Sequence, residues 1–119
     1  MAPEADQLLK QGIVQYQAYI ETRLIASLEA AMQSWQEALS MYRASQNSIG
    51  EGAALGNLGA AYKASGDLPQ AIAFYQQHLN LAQSIQDRRG EGNALGNLGN
   101  AYYLRSYAVG TRVSQGAAK

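Results

Sequence analysis

The chain has 119 residues, nine basic and nine acidic side chains, and no cysteine. That length suits one domain with a modest core, and the balanced charge speaks against a nucleic-acid or membrane-surface protein. The missing thiols exclude disulfides, zinc knuckles and thiol catalysis.

The opening MAPEADQLLKQ lacks the basic stretch and long apolar run of a signal peptide. No apolar run approaches the length of a membrane span, so the expectation is a soluble, cytoplasmic protein. From there apolar residues recur at steps of three or four: Leu9, Ile13, Tyr16, Ile20, Leu24, Leu28, Met32, Trp35, Leu39 and Tyr42. No Gly, Pro, Asn or Asp lies between Gly12 and Asn47, so nothing marks a turn. The pattern predicts one continuous helix over residues 3–46, roughly 65 Å long at 1.5 Å per residue. Its N-terminal half would project with an uncovered apolar stripe, for which the cheapest cover is a second copy of the chain.

A repeat follows. Residues 50–62, GEGAALGNLGAAY, return forty positions later as 90–102, GEGNALGNLGNAY. A period of that length marks a solenoid, whose units stack because none can bury its apolar face alone. Leu55, Leu58 and Tyr62 share one helical face. Gly56 and Gly59 would each cost about 1 kcal/mol against alanine in an exposed helix. Their return as Gly96 and Gly99 points to close packing against a second helix. The first helix should stop near Ser65 and Gly66. Asp67 caps the next helix, with Pro69 in its first turn and Gln70 completing the cap. The second helix carries Ala71, Ile72, Tyr75, Leu79, Ala82 and Ile85, and ends around Gln86. Asp87, Arg88, Arg89 and Gly90 form a polar link.

Shifting back by forty aligns Ala31 with Ala71, Trp35 with Tyr75 and Leu39 with Leu79, so an earlier second helix runs to about Gln46. Shifting forward, residues 90–104 form a first helix whose partner is missing, because LRSYAVGTRVSQGAAK lacks the GDLPQAIAFY pattern. The expected fold is all-α, one helix-turn-helix solenoid domain over 1–109. It comprises repeats over about 4–49 and 50–89 and a half-repeat over 90–104. Residues 110–119 should be a flexible tail, since they offer little apolar surface.

Leu58, Gly59, Tyr62, Ala71 and Tyr75, followed by a link and a second copy, resemble the tetratricopeptide repeat. The longer period is similar to the variant found in kinesin light chains, spindle-orientation adaptors and cyanobacterial signalling proteins. The resemblance implies a concave groove lined by the first helices, in which asparagines bond the backbone of an extended peptide. The matching positions are Asn57 and Asn97, with Asn93 at the helix start and Asn100 one turn on. Ala60 stands where Asn100 does, so the ladder is incomplete. An amide both donates and accepts, and so captures a peptide unit whatever its side chain. Lys63 and Tyr103 should also face the groove, the lysine for a carboxylate and the tyrosine for stacking or hydrogen bonding.

No constellation suggests an enzyme or a cofactor. His78 is the only histidine, and it sits where a packed side chain belongs. GEGAALG lacks the lysine-hydroxyl ending of a phosphate loop and follows no strand, and no cluster has metal-ligand spacing. The reading is a non-catalytic interaction module for a peptide or protein segment. One alternative is a self-assembling, domain-swapped homodimer, which an acidic excess over residues 1–51 and a basic excess over 88–119 would suit. The other is a repeat fragment of a larger multidomain signalling protein.

Overall fold

The computed structural model describes residues 2–117, with side chains from 4 to 108. Five helices follow one another: α1 (Ala2–Thr22), α2 (Ile25–Ala44), α3 (Ser48–Ala64), α4 (Leu68–Ser84) and α5 (Arg88–Ala117). Each packs on its neighbours in sequence, and α3 also touches α1 and α5. The first helix of each pair therefore lies along one side of an all-α solenoid.

Three of the four turns are built alike. Gln46, Gly66 and Gln86 take left-handed backbone, with φ of 57°, 87° and 59°. The amides of Asn47, Asp67 and Asp87 then donate back to the carbonyls of Tyr42, Tyr62 and Ala82 at 2.9, 2.9 and 2.8 Å. This closes one helix. The same three side chains open the next, their Oδ1 atoms accepting from the amides of Gly50, Gln70 and Gly90 at 3.0, 3.1 and 3.0 Å. The expected stop at Ser65 and Gly66 and the cap at Asp67 are thus present. Arg88, Arg89 and Gly90, expected in a link, instead form the first turn of α5.

The fourth turn overturns the single helix expected over residues 3–46. α1 ends at Thr22 and α2 begins at Ile25. Between them Arg23 is left-handed at φ 61°, its amide bonded to the Tyr19 carbonyl at 2.7 Å. No side chain caps α2 at Leu24. The two helices run antiparallel against each other. The Trp35 indole N–H donates to the Leu9 carbonyl at 3.0 Å, the Ser34 hydroxyl to Gln15 Oε1 at 2.7 Å, and the Tyr42 hydroxyl to Asp6. Burial, followed by that bond, pushes the Tyr42 hydroxyl up to about 12.

The energetic reason is plain. A left-handed arginine costs about 1–2 kcal/mol, whereas burying one large apolar side chain gains about 1.5–3 kcal/mol. Leu28, Trp35, Leu39 and Tyr42 of α2 are buried with Ala5 and Tyr19 of α1, and Leu8, Leu9 and Tyr16 pack against them. The extra residues of this first pair do not bridge the hinge. They lengthen α1 and α2 by roughly a turn each. Within the stripe that motivated a swapped homodimer, Leu9, Tyr16, Leu28, Trp35, Leu39 and Tyr42 pack inside the chain, whereas Ile13, Ile20 and Leu24 stay exposed.

At the other end α5 runs past Leu104 to Ala117. Of the tail expected to be mobile, residues 118 and 119 and the side chains from 109 onward lie outside the described residues.

Candidate functional site

A cavity of about 260 Å3 opens between α3 and α5. Ile49 and Ala53 line it from α3, Arg89, Gly90 and Asn93 from α5, and His78 of α4 with the cap residue Asp87 complete it. A methyl at Gly90 would lie 2.4 Å from Asp87 Oδ2, so the carboxylate sits close over the helix start there.

His78 reaches this cavity through a slot that two glycines keep open. A methyl at Gly52 would sit 3.1 Å from its Cδ2, and one at Gly56 would sit 3.3 Å from its Nδ1. Both are tighter than an ordinary carbon contact. The side chain is 8% exposed, and Nδ1 has no hydrogen-bond partner. Burial pushes the imidazole below its usual range, with Asp87 opposing. The expectation of a packed histidine is met, but its line to the cavity was not legible in the sequence. The only signal was the recurrence of glycines at i and i+4 on the facing helix.

A depressed folded-state value means that the unfolded chain takes up the proton first, so stability falls as pH drops through the normal histidine range. With Asp87 and Arg89 the charged groups lining the cavity, and His78 the sole histidine, the urea midpoint should be lower at pH 5 than at pH 7.5. His78→Gln should flatten that difference. An equal slope in the variant would place the titration elsewhere.

Of the six residues expected to bind, Asn93 lines the cavity. Asn97 and Asn100 follow it at i+4 and i+7 and so share its face of α5, with Asn97 half-buried and Asn100 exposed. Asn57 is half-buried one turn beyond Ala53 on α3. None of these four amides bonds to another group among the described residues. Lys63 is half-buried and Tyr103 exposed. Helical spacing sets each about a quarter-turn off the line through Ala53 or Asn93, and neither lines the cavity.

Two stacked helical hairpins, a forty-residue period and matching caps are the anatomy of one repeat family, and residues 50–107 match its model, described as tetratricopeptide repeat. The chain is a tetratricopeptide repeat protein. No curated protein sequence matches it. Tetratricopeptide repeats are typically non-catalytic interaction modules that bind protein partners. Among the described residues no cluster of histidine and carboxylate side chains could hold a metal ion. No described helix is long and apolar enough to cross a membrane.

Proposed function

We propose that this tetratricopeptide repeat protein is a non-catalytic adaptor that holds an extended peptide or protein segment between α3 and α5. One observation carries the reading. Asn57, Asn93, Asn97 and Asn100 stand at helical spacing on the two helices that flank an open cavity, with their amides unbonded. Free amides on facing walls can pair with successive peptide units of a ligand backbone, which suits sequence-tolerant capture. Asp87 and Arg89 then discriminate by charge at one end of the site, where His78 adds a ring nitrogen without a hydrogen-bond partner.

A peptide selected from a random library on the wild-type chain tests this. The Asn57→Ala/Asn97→Ala variant should bind it roughly tenfold more weakly, as expected for about 1–2 kcal/mol of lost amide hydrogen bonding. Thermal unfolding should stay nearly unchanged. A large fall in unfolding temperature with affinity kept would assign the amides to structure. Unchanged affinity and stability together would remove them from the site.

A further inference from the structure

The two copies of the repeated segment meet opposite surroundings. On α3, Leu55 is 1% exposed, and a methyl at Gly59 would lie 2.4 Å from the Tyr75 ring, because α4 is seated there. On α5, Leu95 is 51% exposed and Tyr102 is also exposed. Methyls at Gly92, Gly96 and Gly99 would meet nothing within 4 Å. An open hollow of about 910 Å3 lies against this face, lined by Gln83 and Gln86 at the end of α4 and by Glu91, Gly92 and Leu95 on α5. Forty residues earlier the same positions are Arg43, Gln46, Glu51, Gly52 and Leu55. Of these, Gly52 faces His78 and Leu81 of α4, and Arg43, paired with Glu51, bonds Gln77 of α4, so this is the seat that receives α4. The hollow is therefore a second seat of the same build, continuous with the α4–α5 interface and without a helix on it among the described residues.

What fits the first seat specifies what fits the second. Phe74 stacks on Tyr62 at 5.3 Å, with the ring planes 10° apart. The Tyr75 ring fills the notch at Gly59, His78 the slot at Gly52 and Gly56, and Leu81 comes within 3.9 Å of a methyl at Gly52. These lie at i, i+1, i+4 and i+7 of one helix, a single face. Charge adds one difference. Glu51 is paired with Arg43 at 3.1 Å, and Arg43 also donates to Gln77 of α4 at 3.3 Å. At the second seat Gln83 stands in place of that arginine, and although Arg88 also lines the hollow, Glu91 has no ion pair among the described residues.

We propose that this face of α5 docks an amphipathic helix from a partner protein. The helix carries two adjacent aromatic residues, a flat or small side chain four positions after the first and a leucine three further on. A basic residue stands where α4 has Gln77, supplying the cation that Glu91 lacks. This seat involves a different face of α5 from the asparagine wall, so it stands independently of the peptide groove.

The probe is a synthetic peptide of residues 66–86, in its native form and as Gln77→Arg, titrated into the full chain and followed by calorimetry. The native peptide should bind saturably at one site below roughly millimolar concentration, and Gln77→Arg should tighten it several-fold in low salt. Gly99→Leu in the chain fills open space, so the chain should fold as before while binding falls more than about tenfold through loss of the notch. Asn57→Ala/Asn97→Ala should leave this binding unchanged. Absence of saturable binding, or binding indifferent to Gly99→Leu, would overturn the assignment. A dimer of the chain alone that Gly99→Leu dissociates would give the seat to a second copy and overturn the partner reading as well.

Discussion

Trp35→Ala is expected to cost about 3–5 kcal/mol of stability, a large share of the 5–15 kcal/mol that holds a typical domain. The indole is 2% exposed and fills the interface between α1 and α2. Its N–H donates to the Leu9 carbonyl at 3.0 Å, and the Tyr16 ring lies 5.6 Å away at 47°. Gly12 is cut back to admit it, since a methyl there would come within 2.3 Å of the indole nitrogen. Truncation removes the buried surface and leaves a cavity that these rigid neighbours cannot close. Because repeat proteins lose structure unit by unit, residues 4–22 should lose hydrogen-exchange protection first. Urea unfolding gives the magnitude, and a loss under about 1 kcal/mol would mean that α1 is not docked on α2.

One substitution at two equivalent sites should act with opposite signs. At Gly99 alanine meets open space, so its better helix propensity should stabilise the chain by about 0.5–1 kcal/mol. At Gly59 the same gain is available, but the new methyl would lie 2.4 and 2.6 Å from two carbons of the Tyr75 ring. Tyr75 is 1% exposed and has no room to retreat. Overpacking of that kind costs about 1–3 kcal/mol, which exceeds the propensity gain, so Gly59→Ala should destabilise. Paired urea melts of the single variants measure the contrast. Destabilisation by Gly99→Ala would show that the α5 face is already covered in solution.

The candidate site was partly legible in advance. The resemblance placed Asn57, Asn93, Asn97 and Asn100 on the first helices, and α3 and α5 do flank the cavity. Lys63 and Tyr103 follow Tyr62 and Tyr102 in the chain, and adjacency does not fix a direction within a quarter-turn. His78 escaped because its access depends on Gly52 and Gly56 in another helix. A lone histidine carries no mark of that slot.

The turns divide by where their energy comes from. Asn47, Asp67 and Asp87 each satisfy a backbone amide three residues ahead, a local bond that a residue type encodes, so three of the four turns and the forty-residue period are written in local residue types. The turn at Arg23 has no glycine and no side-chain cap at Leu24. It forms because folding α1 back buries Ala5 and Tyr19 against Leu28, Trp35 and Tyr42. That gain lies in contacts between residues far apart in the chain, and it outweighs the roughly 1–2 kcal/mol of a left-handed arginine. Tertiary packing likewise decided the fates of Leu55 and Leu95, which share a local sequence but not a neighbour. Hydrophobic burial depends on what arrives at a face, and the face alone does not record it.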